Sequence, residues 1–178
     1  DLTIRTQIPY RRGEDELIRN YKEGSTLINA KIITEFVRKM ESDEITVDVI
    51  DSTIATLGDK RSEYKLNCVR PEEYPDLDLE ASGAQLTLST KDFDTLVDQT
   101  AFAASTKEQR PILTAVNLDA SNGVLTATAT DSARLARKTM AIRQDIGFVA
   151  NIPAKMLVEV SHLVSEYPSV DLAVSDKK

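Results

Sequence analysis

Apolar and polar positions repeat with two different periods along this 178-residue chain, and the switches between them mark out its elements. Residues 1–8 alternate as a strand does, until Pro9 to Gly13 breaks the run with proline, charge and glycine. Between Glu14 and Arg19 no stripe is long enough to assign. From Ile32, the residues Ile32, Ile33, Phe36, Val37 and Met40 recur at three- and four-residue steps, with Lys31, Glu35, Arg38 and Lys39 opposite. This predicts about three turns of amphipathic helix. Three alternating segments follow at 45–49, 53–57 and 62–69, separated by Asp51-Ser52 and Gly58-Asp59-Lys60, and they predict an antiparallel meander.

The run Arg70-Pro71-Glu72-Glu73-Tyr74-Pro75 and the pair Ser82-Gly83 interrupt both periods, so a domain boundary is expected between residues 1–83 and 84–178. Residues 84–88 alternate again. Ser89 then offers an N-cap hydroxyl, with Asp92 three positions on, before the stripe Phe93, Leu96, Val97, Thr100 and Ala101. Residues 102–105 can extend or end that helix, and 106–111 read as an exposed connection. Strands are predicted at 112–118, 123–130, 133–142 and 148–152, with Asn122-Gly123 as a hairpin turn and Pro153 opening another helix.

The two halves share a pattern. Ile28, Ala30, Lys31 and Glu35 return as Ile152, Ala154, Lys155 and Glu159, and the strand-like segment at 45–49 is answered by 170–174 after one inserted residue. A period of about 124 positions is domain-sized, so the chain is expected to hold two related domains and, at about one and a half periods, to be part of a longer protein. The expected fold class is α+β, with helices packed on antiparallel sheets.

Composition narrows the function. No apolar run approaches the roughly 20 residues of a membrane span, and the first residues do not form a signal peptide. The single cysteine, Cys68, can form no internal disulfide and reads as a small buried hydrophobe, so a cytoplasmic location is expected. The net charge of −7 argues against coating nucleic acid through bulk charge, yet the distribution is uneven: −6 in residues 1–83 and −1 in residues 84–178. A local basic surface remains compatible with that balance.

Catalytic equipment is sparse. One His and one Cys assemble no zinc site, and the six glycines form no phosphate-binding loop, nucleophile elbow or dinucleotide fingerprint. Asp48 and Asp51 form a conceivable metal-binding pair, and Asp131 is either a turn carboxylate or a general base; the turn reading fits Thr130-Asp131-Ser132 better. No metal and no cofactor is therefore expected. His162 lies on a helix face with Lys155 and Glu159, at the place Arg38 holds in the first copy. It is either an ordinary polar-face residue or part of a shared surface role.

The runs Phe102-Ala103-Ala104-Ser105-Thr106-Lys107-Glu108-Gln109-Arg110-Pro111-Ile112-Leu113-Thr114 and Ala127-Thr128-Ala129-Thr130-Asp131-Ser132-Ala133-Arg134-Leu135-Ala136 resemble the middle domain of the bacterial DNA polymerase III sliding clamp, the beta subunit. Arg61-Ser62-Glu63-Tyr64-Lys65-Leu66 and Pro71-Glu72-Glu73-Tyr74-Pro75 resemble the end of its first domain, and Ile152-Pro153-Ala154-Lys155 its recurrent helix start. The resemblance covers essentially the whole chain in the family's order. It departs at Ala133, where the family usually has His.

That resemblance implies repeated DNA-clamp domains and a non-enzymatic processivity factor whose two protomers close head to tail around duplex DNA. It implies that the replicative polymerase and the clamp loader are partners. It assigns DNA contact to Arg38, Lys107, Arg110, Lys155 and His162, with Asp94 and Asp98 departing from a purely basic wall. It assigns a partner-peptide pocket to Leu113, Thr130, Ser132, Ala133, Arg134 and Leu135, although Leu113 and Leu135 also read as core strand residues. Arg61, Glu63, Tyr64 and Leu66 match the edge strand of the dimer interface. Two other readings remain open: a protein-only interaction module with the same pocket, and a metal-dependent enzyme using Asp48 or Asp131.

Overall fold

The computed structural model describes residues 3–19, 21–77 and 79–175, and these divide into two units, one from Thr3 to Asp78 and one from Leu79 onward. The division falls within the acidic, proline-bearing stretch that begins at Pro71. Each unit combines helices with antiparallel sheet, so the fold class is α+β.

The first unit begins without the strand expected at 1–8. Residues 3–8 are irregular, and residues 1 and 2 lie outside the described residues. A small hairpin of β1 (Arg11–Arg12) and β2 (Asp15–Glu16) occupies the segment that broke the pattern. Helix α1 (Ala30–Val37) opens on Asn29, whose Oδ1 accepts the N–H groups of Lys31 at 3.1 Å and Ile32 at 3.2 Å. Two of the amides that a helix start leaves unpaired are thereby satisfied. The helix ends at Val37, earlier than the stripe through Met40 predicts.

The expected meander is present as β3 (Thr46–Ile50), β4 (Ile54–Gly58) and β5 (Glu63–Asn67), in that spatial order. Asp51 and Ser52 take φ of 52° and 57° in the first turn, where the Thr53 N–H donates to the Ile50 carbonyl at 3.2 Å. The ring of Phe36 on α1 stacks on Tyr64 of β5 at 4.6 Å between centroids. Among the described residues of this unit only Ala55, Leu57 and Leu66 are buried, whereas Ile32, Val37, Val47, Val49, Ile50 and Ile54 are exposed. The stripe of α1 is therefore not a fully buried one; Ile33 and Phe36 are half-buried.

The second unit carries the main core. Strand β6 (Ala84–Ser89) runs into α2 (Thr90–Asp98), and Ser89 caps the helix by accepting the Asp92 N–H at 3.1 Å while donating to the Asp92 carboxylate at 2.7 Å. Thr100 and Ala101 fall outside α2, and a 3-10 turn at Ala101–Ala103 follows. A second 3-10 turn, Pro111–Thr114, replaces the first half of the strand expected at 112–118. Proline at its start fixes φ and removes an N–H that a sheet would need.

Strands β7 (Ala115–Ser121), β8 (Val124–Thr130), β9 (Leu135–Ala141) and β10 (Phe148–Pro153) form a sheet in the order β10-β7-β8-β9. The turn between β7 and β8 is Asn122-Gly123, with φ of 51° and 73°, as a two-residue hairpin turn requires. Helix α3 (Ala154–Val164) follows Pro153, and β11 (Ser169–Val174) pairs antiparallel with β6. The helix starts Ala30 and Ala154 repeat at the spacing read from the sequence.

Strict alternation in β7 and β8 sends Val116, Leu118, Ala120, Leu125, Ala127 and Ala129 to one face, where they join Leu86, Leu88, Phe93, Leu96, Val97 and Leu157 in a single core. Phe93 is fully buried there, so Phe93→Ala should cost about 3–5 kcal/mol in chemical denaturation. Gly83 has φ +88°, and a Cβ there would stand 2.1 Å from the Val174 carbonyl oxygen at the end of β11. Gly83→Ala should destabilise the unit by more than about 1 kcal/mol, measurable as a lower urea midpoint; an unchanged midpoint would remove the close approach as a constraint.

Candidate functional site

The β8–β9 connection is a short loop that holds itself together. The Asp131 Oδ1 accepts the N–H groups of Ala133 at 2.9 Å and Arg134 at 3.0 Å, and its Oδ2 accepts the Arg134 Nε–H at 3.0 Å. Thr130 donates its hydroxyl to the Arg134 carbonyl at 2.6 Å and accepts the Ser132 N–H at 3.2 Å. Ser132 sits at φ 80°, a left-handed conformation that a non-glycine residue holds only when its neighbours enforce it. The Ala133 and Arg134 amides, with the Arg134 guanidinium, keep the Asp131 carboxyl below its ordinary pKa of 3.8. Three N–H donors bond this carboxylate and lower its basicity, which makes it a turn acceptor.

Five of the six pocket candidates lie in this loop or at its edge: Thr130, Ser132, Ala133, Arg134 and Leu135. The sixth, Leu113, lies in the 3-10 turn leading into β7, and its carbonyl accepts the Ser105 N–H at 2.7 Å. The register Asn117↔Thr128 sets the start of β7 beside the end of β8, so Leu113 is at the same end of the sheet. Neither leucine is a buried strand residue. Leu135 is 66% exposed at the first position of β9, and Leu113 is half-buried.

Two further apolar residues at this end were not singled out from the sequence: Phe102, 59% exposed, and Ile112, 62% exposed. The Arg134 guanidinium carbon lies 5.7 Å from the centroid of the Phe102 ring. Phe102 reads in sequence as the tail of a helical stripe. Only the 3-10 turn after α2 brings it out to the surface.

The DNA-contact candidates are all exposed. Lys155 and His162 share the outer face of α3 with Glu159, two turns apart. His162 also borders a groove between the start of α2 and the end of α3, lined by Thr90, Lys91, Asp94, Ser161 and Ser165. The buried Ser161 hydroxyl donates to the Asp94 carboxylate at 2.7 Å, which ties the two helices together and gives Asp94 a structural task. Lys107 and Arg110 lie in the connection between the two 3-10 turns and do not border the groove. In the first unit Arg38 is the C-cap of α1, one residue past its end, whereas His162 lies inside α3.

Strand β5 is an edge of its sheet. Its outer side pairs with no strand among the described residues over 63–67, and Leu27 closes it farther along by bridging Val69. Tyr64 and Leu66 alternate inward, toward Phe36 and the small core, while Glu63 is exposed. Arg61 precedes the strand and pairs with Glu41 at 2.9 Å. Of the candidate metal pair, Asp48 lies on exposed β3 and Asp51 in the turn after it; no group of three or more potential ligands is assembled among the described residues. No described helix is long and apolar enough to cross a membrane.

Two helix-and-sheet units with a repeated helix start define the class of repeated clamp domains, and the comparisons agree. Residues 2–78 match the family model of the DNA polymerase III beta subunit, N-terminal domain, and residues 87–178 that of its central domain. The chain belongs to the DNA polymerase III beta subunit family. It is 35% identical to the beta sliding clamp of Halalkalibacterium halodurans, over all of this chain and 48% of that protein. It is 31% identical to that of Bacillus subtilis, over 99% of this chain and 47% of the relative. The crystal structure of the Bacillus subtilis DNA polymerase sliding clamp superposes with a TM-score of 0.86 at 30% identity, covering 95% of this chain and 45% of that one. The chain thus spans about half the length of these relatives.

The loop chemistry has a pH signature. The lowered pKa of Asp131 means that its contribution is complete above pH 3.8 and is lost as pH falls through the folded-state value below it. The Ala133 and Arg134 amide resonances should therefore hold their positions down to about pH 4 and shift only below it, and Asp131→Asn should abolish that step. A titration midpoint at or above 3.8 would contradict the geometry.

Proposed function

We propose that this chain is part of a processivity factor that encircles duplex DNA without reading its sequence and tethers the replicative polymerase through a peptide-binding pocket. The observation that carries the reading is the duplication itself: α1–β3 and α3–β11 repeat one helix–strand unit, in the order of the family's N-terminal and central domains. The clamp domains are drawn at 1–83 and 84–178. A ring of such units acts by confinement, which raises the polymerase's effective concentration at the template without any chemical step.

The helix faces suit that task. Lys91 and Lys155 are offset by Asp94 and Glu159 on the exposed faces of α2 and α3, so phosphates meet a weakly attractive wall. Strong attachment would stop sliding. Arg38, Lys107, Arg110 and His162 extend the same role. The free side of β5, with Arg61, Glu63, Tyr64 and Leu66, supplies an edge for a head-to-tail homodimer. Leu113, Thr130, Ser132, Ala133, Arg134 and Leu135 form one wall of the pocket for polymerase and clamp-loader peptides. The location is cytoplasmic.

The test uses the complete protein that carries this chain. It should remain on closed circular DNA and run off linear DNA of the same sequence. Lys155→Ala should lower the dependence of log affinity on log salt by about one unit. Equal retention on circular and linear DNA would overturn the ring; peptide binding without any salt-dependent DNA association would favour a protein-only module.

A further inference from the structure

Arg134 is held in a way that its neighbours in the pocket wall are not. Its Nε–H is fixed on the Asp131 Oδ2 at 3.0 Å, and its guanidinium lies over Phe102 at 5.7 Å from the ring centroid. A guanidinium carries five N–H donors in a planar fork. Only the Nε–H donor is engaged by a described residue, so the four on the two terminal nitrogens have no described acceptor. Asp131 is itself held in place by three N–H groups, two on Oδ1 and one on Oδ2. The fork is thus oriented before any ligand arrives.

Phe102 has no comparable reason to be where it is. It is 59% exposed and outside the core, so its burial contributes little, and its ring face is what Arg134 rests on. We infer that Phe102 is a positioning residue that, together with Asp131, aims the Arg134 fork at a carboxylate lying beside the apolar anchor of a bound partner peptide. The inference rests on the pocket reading above and names the chemistry of its ligand. A planar, pre-oriented guanidinium binds a carboxylate through two parallel hydrogen bonds, which a neutral amide cannot match. Leu135, next in the chain and 66% exposed, offers the apolar contact for the anchor.

The test titrates the complete protein with two acetylated peptide amides, Gly-Asp-Leu-Leu-Gly and Gly-Asn-Leu-Leu-Gly, followed by NMR. The wild type should bind the acidic peptide about tenfold more tightly. Phe102→Leu keeps an apolar side chain but removes the ring face; it should cut the preference to about threefold by weakening the acidic peptide more than the Asn peptide. Phe102→Tyr should restore the preference. A merely structural role would weaken both peptides equally in Phe102→Leu, and that outcome, or an undiminished tenfold preference, overturns the inference. Binding of neither peptide by the wild type overturns the pocket reading, and this inference with it.

Discussion

Close packing of α2 and α3 against the small-residue face of the second unit's sheets is the constraint on which the rest of this structure depends. Ala120, Ala127 and Ala129 alternate with Leu118 and Leu125 on the inner face of β7 and β8, and their small volumes let Phe93, Leu96 and Leu157 seat on the sheet. The outward positions of β8 are Val124, Thr126, Thr128 and Thr130, whose β-branched side chains suit a half-exposed strand. Fixing the helices on that face leaves Lys91, Lys155 and His162 outside. It also sets the end of β8, and the loop after it, beside the 3-10 turn that carries Phe102. Both candidate surfaces of this unit follow from one packing decision.

The two copies of the repeated unit show what a partner helix contributes. In the second copy, α3 buries Ala154, Leu157 and Ser161, and the Ser161–Asp94 hydrogen bond satisfies the one polar group taken inward. In the first copy, α1 buries none of its residues, although its apolar stripe is the stronger of the two by sequence, and it leans on β5 through the Phe36–Tyr64 stack. An amphipathic pattern states which side of a helix prefers to be covered. Whether it is covered depends on a second element of the right shape, as most helical stability in proteins comes from tertiary packing.

The β8–β9 loop illustrates how chemistry can be assigned away from catalysis. An acid flanked by hydroxyls is a familiar arrangement for a general base, yet every oxygen of Asp131 is committed to holding Ser132 through Arg134 in a tight turn. The strain at Ser132 is maintained by those bonds and by Thr130. Such a loop presents its outer groups in fixed positions, which suits recognition. The enclosure proposed above calls for surfaces of that kind: a rigid one for peptide partners, and a weakly charged one for a ligand that keeps moving.

Sequence alone was enough for the elements whose cause is local. The meander, the Asn122-Gly123 turn, the Ser89 cap, the repeated helix start and the turn role of Asp131 all arise from periodicity, backbone conformation or a side chain bonding to its own neighbours. Other features depended on distant partners. Residues 3–8 alternate but form no strand, because a strand needs another to pair with. The segment from Pro111 to Thr114 looks like strand and coils as a 3-10 turn. Leu113 and Leu135 read as core, yet Leu113 is half-buried in a turn and Leu135 is exposed, and Phe102 and Ile112 are surface residues no pattern marked. Exposure and cross-element contacts such as Arg134 over Phe102 are properties of three-dimensional packing, and a one-dimensional pattern carries only a residue's preference for them.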